Sequence, residues 1–75
     1  MEVKLPELSA GVITATIAMW HYSEGDSITR EDDLVEFVTD KAAFTLTSPV
    51  TGRVKKIIFA EGETVSAGDV IAIIE

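Results

Sequence analysis

The chain has no cysteine and a single histidine among its 75 residues. It can therefore form no disulfide and supply no thiolate nucleophile. One imidazole without thiolates also makes a transition-metal site a poor expectation, so no metal is assigned. Basic residues are scarce as well: six Lys and Arg stand against thirteen Asp and Glu, a net charge of −7. That balance argues against a nucleic-acid backbone, whose binding depends on clustered Lys and Arg neutralising phosphates. No apolar run approaches the ~18 residues needed to cross a bilayer as a helix. The opening "MEVKLPELS" shows neither the basic nor the apolar region of a secretory signal. The expectation is a soluble, cytoplasmic domain with neither nucleic acid nor membrane among its partners.

What is present is apolar and strand-like. Apolar residues make up 47% of the chain, enough for one compact core, and the length suits a single domain over residues 1–75. "GVITATIAMW" alternates Ile13, Ala15, Ile17 and Met19 with Thr14, Thr16 and Ala18, a period of two. "AAFTLTS" sets Ala42, Phe44 and Leu46 against Ala43, Thr45 and Thr47 in the same way. Turn-forming clusters separate such runs: "SEGDS", "REDD", "SPVTG", "AEGET" and "SAGD". No segment has a helical stripe of ten or more residues. The pattern predicts an all-β sandwich or small barrel.

The chain also repeats. Shifted by 37 residues, "YSEGDSITREDDLVEF" lies over "FAEGETVSAGDVIAII", so that Glu24, Gly25 and Asp32 meet Glu61, Gly62 and Asp69. Conservative pairs surround them, among them Tyr22 with Phe59, Asp26 with Glu63 and Leu34 with Ile71. Two copies are too few for a solenoid. Two half-sheets facing each other about a pseudo-twofold axis would bury both apolar faces. That symmetry places Lys41 at the end of the domain opposite both termini, and a tail leading to another domain would leave from the far side.

Lys41 stands with Asp40 between two strand-like runs, in "VEFVTDKAAFTLTSP". By residue type alone, an ordinary solvated turn and a modification site both remain open, although Asp-Gly or Asn-Gly is commoner in a two-residue hairpin loop. Trp20 reads as a packing aromatic. His21 has no Ser or Cys partner and reads as a strand-surface residue, not a catalyst. Glu24, Asp26, Glu31, Asp32 and Asp33 lack the alternating ligands and central Gly of a calcium loop and read as a solvated acidic face. Gly25 and Gly62 occupy equivalent turns that call for a backbone most residues avoid.

Over nearly its whole length the sequence resembles a lipoyl domain of the biotinyl/lipoyl carrier family. The matching stretches are "LPEL", Trp20 with "EGD", "LVEFVTDKA", "SPVTGRV" and "EGETVSAGDVIAIIE". The resemblance implies a flattened barrel of two four-stranded antiparallel sheets with pseudo-twofold symmetry. It implies lipoate in amide linkage to Lys41, a swinging arm that carries acyl groups and electrons through a 2-oxo acid dehydrogenase complex. The implied partners are a lipoate ligase or lipoyl transferase and a thiamine-diphosphate-dependent decarboxylase. The catalytic domain of a dihydrolipoamide acyltransferase and dihydrolipoamide dehydrogenase complete the set. The domain itself would be a carrier without catalysis.

A biotin carrier and an unmodified structural barrel are the alternatives. Biotinyl domains usually bracket the lysine with methionines, whereas Asp40 and Ala42 flank it here, which favours lipoate. The resemblance assigns Asp40, Ala42 and Gly52, eleven residues beyond the lysine, to ligase recognition. It assigns Ser9, Ala10 and Gly11 to the loop that meets the decarboxylase. Two positions depart from the family pattern. Val38 replaces a Glu commonly found three residues before the lysine, and Ser9-Ala10-Gly11 stands where Gly-Glu-Gly is frequent.

Overall fold

A computed structural model describes residues 1–6 and 13–75; Ser9, Ala10 and Gly11 lie outside the described residues. Eight strands form in chain order: β1 (Glu2–Lys4), β2 (Thr14–Trp20), β3 (Ser27–Ile28), β4 (Asp33–Val38), β5 (Ala43–Thr47), β6 (Gly52–Ile57), β7 (Thr64–Ser66) and β8 (Val70–Ile74). They make two four-stranded sheets in the orders β1-β8-β6-β3 and β5-β4-β2-β7, with every pairing antiparallel. No helix occurs among the described residues. The all-β fold of two four-stranded sheets expected from the sequence is the one observed.

The two orders interchange when β1, β2, β3 and β4 are exchanged with β5, β6, β7 and β8. The internal repeat is thus a structural pseudo-twofold, and it extends to individual hydrogen bonds. Gly25 N–H donates to the Val54 carbonyl at 2.7 Å, and Gly62 N–H donates to that of Ile17 at 2.8 Å. Ile57 N–H donates to the Glu24 carboxylate and Trp20 N–H to that of Glu61, each at 2.9 Å. Thr29 N–H reaches Asp32, and Ser66 N–H reaches Asp69. Asp32 and Asp69 thus close turns by accepting a backbone N–H three residues back, a task to which short acidic side chains are suited, while Glu24 and Glu61 tie their turns to strands far away in the chain.

The core lies between the sheets. Ala15, Ile17, Leu34, Val35, Phe37 and Val65 of one sheet meet Val3, Ile28, Val54, Ile71, Ala72 and Ile74 of the other, all buried. Each fully buried Leu, Ile, Val or Phe side chain contributes about 1.5–3 kcal/mol relative to exposure. The alternation expected along β2 holds for Ala15 and Ile17 and fails for Ile13 and Met19, which are 60% and 49% exposed. Ile13 precedes the strand. At Met19 the cause is a bulge: Ile17 pairs with Phe37 and Met19 with Glu36, so one extra residue on β2 reverses the facing of the strand's last residues. Trp20 is thereby turned inward. It is half-buried, packs against the core and donates its indole N–H to the Phe59 carbonyl at 2.9 Å.

The pairings also orient the domain. β4 and β5 run from Asp33 and Thr47 to a tip beyond Val38 and Ala43. β8 starts beside Ala67, whose N–H donates to the Ile13 carbonyl, and ends with Glu75 bonded in both directions to Arg53. Glu2 pairs with Ile73 at that same end. The hairpin tip and the two chain ends consequently lie at opposite ends of a body 32 Å long.

Candidate functional site

Residues 39–42 connect β4 to β5. Thr39 N–H donates to the Ala42 carbonyl at 2.8 Å, closing a two-residue turn of Asp40 and Lys41. A threonine hydroxyl often organises such a turn, and here Thr39 Oγ1 accepts from Lys41 N–H at 3.3 Å and Ala42 N–H at 3.2 Å. The same hydroxyl donates to the Ala42 carbonyl at 3.3 Å. Among non-glycine residues a positive φ occurs at Glu31, and neither Asp40 nor Lys41 shares it. The turn therefore avoids the left-handed geometry that favours Asn-Gly or Asp-Gly in hairpins, and Asp-Lys fits without strain. Thr39 is the residue of this turn that sequence reasoning misses. Its signal is present in "TDKA", a threonine at the first position of a four-residue turn.

Lys41, Asp40 and Ala42 are all exposed, while Thr39 is half-buried beneath them. Among the described residues no carboxylate lies within ion-pair distance of the Lys41 amine. Phe37, two residues before Thr39, is fully buried and pairs with Phe44 across the hairpin. The backbone below the tip is thus anchored in the core and the amine projects into solvent. Lys4, Lys55 and Lys56 are exposed too, but each lies within a paired strand. Turn position, more than exposure, distinguishes Lys41.

The structure brings together Asp40, Lys41 and Ala42. Gly52 is elsewhere. It begins β6 in the other sheet, pairs with Ile28 and sits at the end that holds Glu75. A β-carbon at Gly52 would overlap the Glu75 carbonyl oxygen and come within 3.0 Å of Ile74 Cγ2. His21 is exposed at the end of β2, its Nε2 2.7 Å from a Glu36 carboxylate oxygen. Tyr22 donates its hydroxyl to Asp32 at 3.0 Å. That bond, followed by desolvation and then the charges of Asp32, Asp26 and Asp33, raises the phenol above its ordinary pKa.

Beside the tip lies an open groove of about 330 Å³, and Lys41 forms part of its wall. Two exposed apolar side chains, Ile13 and Val38, also line it. Nothing in the sequence pattern joins Ile13 to the hairpin, because only the pairing of β2 with β4 makes them neighbours.

A domain of two symmetry-related four-stranded sheets has counterparts among known proteins. The family model Biotin_lipoyl, described as "Biotin-requiring enzyme", matches residues 1–74. The chain belongs to the biotin/lipoyl family. This biotin/lipoyl domain is 37% identical over 73 residues to a dihydrolipoyllysine-residue succinyltransferase component of the 2-oxoglutarate dehydrogenase complex from Staphylococcus saprophyticus, covering 97% of this chain and 17% of the relative. It is 35% identical over 74 residues to a dihydrolipoyllysine-residue acetyltransferase component of the pyruvate dehydrogenase complex from Staphylococcus aureus, covering 99% of this chain and 17% of the relative. The chain thus spans about a sixth of the length of these relatives, at 17% in both.

Among solved structures, the lipoyl domain of the 2-oxoglutarate dehydrogenase complex from Azotobacter vinelandii superposes with a TM-score of 0.81 at 25% identity, covering 100% of this chain and 95% of that one. Urea carboxylase from Kluyveromyces lactis superposes with a TM-score of 0.80 at 24% identity, covering 99% of this chain and 6% of that one. The second likeness concerns fold alone.

Proposed function

We propose that the domain is a lipoyl carrier, with lipoate held in amide linkage by the Lys41 Nζ. The observation that carries this reading is Lys41 at a Thr39-locked hairpin tip, exposed and bracketed by Asp40 and Ala42, in a chain whose relatives are dihydrolipoyllysine acyltransferase components. Lipoate supplies a dithiolane that takes up and releases an acyl group and electrons, chemistry for which this cysteine-free chain has no group of its own. The chain supplies placement. Amide formation removes the charge of Lys41, and with the β4–β5 backbone anchored through Phe37 and Phe44, motion is left to the side chain and its cargo. Tethering holds the cargo at high local concentration near successive active sites.

The partners implied by this reading are a lipoate ligase or lipoyl transferase, a thiamine-diphosphate-dependent 2-oxo acid decarboxylase, the acyltransferase catalytic domain and dihydrolipoamide dehydrogenase, in the cytoplasm. Succinyltransferase and acetyltransferase components are similar to the chain to nearly the same degree, so the reading stops at the 2-oxo acid class. Asp40 and Ala42 support lipoate over biotin, since a charged and a small flank replace the flexible apolar pair of methionines. The test is incubation with lipoate ligase, ATP and lipoate, and in parallel with biotin ligase and biotin, followed by intact mass and peptide mapping. Lipoylation at Lys41 alone is expected. Biotin on Lys41, or lipoate confined to Lys4, Lys55 or Lys56, would overturn the reading.

A further inference from the structure

We propose that the groove beside the hairpin is a resting site for the lipoyl arm of Lys41, into which the arm folds back when no partner holds it. This inference rests on the lipoyl reading above. The groove lies on the outer face of the β5-β4-β2-β7 sheet, where Val38 pairs with Thr16 and Thr16 with Thr64. Their neighbours Phe37, Ile17 and Val65 point into the core, so the alternation of strand side chains turns this row outward. Adjacent strands lie about 4.8 Å apart, so the row from Val38 to Thr64 measures roughly 10 Å across. A lysine stem prolonged by a fatty-acyl chain reaches across that width.

The groove's size and chemistry both favour this occupant. Its volume of about 330 Å³ falls at the lower end of the range for small-molecule sites, roughly 300–1,000 Å³. The walls are Ile13, 60% exposed, and Val38, 40% exposed, in a domain that otherwise shows solvent many carboxylates. Among the described residues, Thr14, Thr16 and Thr64 form a floor of uncharged hydroxyls and methyl groups, and Asp40 sets a carboxylate at the hairpin end. An uncharged arm with an apolar chain matches the part of the groove beyond Asp40, and Lys41 itself forms part of the wall, so the arm needs no diffusion to find it. Val38 makes the hairpin side of this wall apolar, where the family resemblance would place Glu.

The experiment compares amide chemical shifts of the unmodified and lipoylated domain, after mass spectrometry has established the adduct. If the arm rests in the groove, Ile13, Thr14, Thr16 and Thr64 shift by amounts comparable to Lys41 and Ala42, although they lie on other segments. Val38→Glu is expected to abolish the shifts on β2 and β7 while keeping those of the hairpin and keeping lipoylation. Perturbations confined to residues 39–43 in the wild-type domain would overturn the resting site and leave the carrier reading intact. Shifts on β2 and β7 that persist unchanged in lipoylated Val38→Glu would also overturn it. Absence of any adduct would overturn the carrier reading and this one with it.

Discussion

Replacing Gly52 with alanine separates a folding role from a recognition role at a position that sequence resemblance assigns to the ligase. The added methyl would collide with the Glu75 carbonyl oxygen and crowd Ile74 Cγ2. Ile74 is fully buried, so relief must come from displacing the end of β8. Two backbone bonds join Arg53 and Glu75, each at 3.0 Å. Losing both costs about 1–3 kcal/mol at ~0.5–1.5 kcal/mol apiece, similar to the usual cost of an overpacked site. A domain of this length is stable by roughly 4–11 kcal/mol, so Gly52→Ala stays folded at room temperature. Its Tm is expected to fall by about 8–16 °C for a loss near 2 kcal/mol.

The ligase assay then discriminates. Gly52 and Lys41 lie at opposite ends of the body, and the turn held by Thr39 is untouched by the substitution. Lipoylation of Gly52→Ala at 25 °C is expected to match wild type, and to fall only as the temperature approaches the lowered Tm. Thermal unfolding followed by the fluorescence of the single tryptophan supplies the Tm. A variant that melts like wild type yet is no longer lipoylated would refute the reasoning, because Gly52 would then touch the ligase directly.

Lys41→Ala, an exposed turn substitution, is expected to change stability by under about 0.5 kcal/mol in chemical denaturation and to abolish lipoylation. Changing Asp40 and Ala42 together to Met is expected to shift the domain from lipoylation toward biotinylation in a competition of both ligases scored by intact mass, since a carboxylate is costly to press against an apolar pocket and two methionines are not. Glu31 has a φ of +74° at the place where the other half of the repeat has Gly68 at +92°. Relief of that left-handed strain, offset by the greater freedom of an unfolded glycine, makes Glu31→Gly more stable by about 0.5–1 kcal/mol in denaturant melts. The single tyrosine is expected to titrate by absorbance above its ordinary value of 10.0 and to return toward it in Asp32→Asn. Its raised pKa means that the stabilisation is fully present below pH 10.0 and is lost as pH rises through the shifted value.

Much of the fold is legible because this chain states it twice. Gly25 and Gly62 fall in matching turns with φ of +94° and +90°, which is why their shared spacing in the sequence is informative. Lys41 is legible for a different reason, since "TDKA" has both the turn chemistry and the family resemblance. What escapes detection depends on pairing. Met19 obeys period two by spacing, and only the register shift against β4 turns it to solvent. Glu24 looks like solvated charge because the N–H group that donates to it is 33 residues away. Ile13 and Val38 come to line one groove through the pairing of β2 with β4, which no local pattern reveals.

The pseudo-twofold itself explains why an unmatched turn can arise at one end of so regular a body. Exchange of the two halves superposes the turns at Gly25 and Gly62, and brings the pair Ile17 and Phe37 onto Val54 and Ile74. Substituting at those positions alters one of two equivalent supports of the common core. At the ends the equivalence stops. β4 and β5 are joined by residues 39–42, whereas β8 and β1 pair side by side with no turn between them. The turn that breaks the symmetry therefore has no counterpart to which its sequence must also answer. It needs only to close on itself, which the Thr39 hydroxyl achieves through Lys41 and Ala42 N–H. Asp40, the Lys41 side chain and Ala42 are left exposed by that closure, so on the proposed carrier reading a ligase can select them. That freedom predicts where carriers of this fold can exchange one cargo for another: at the residues flanking the amine, above a hairpin whose Phe37–Phe44 pairing stays unchanged.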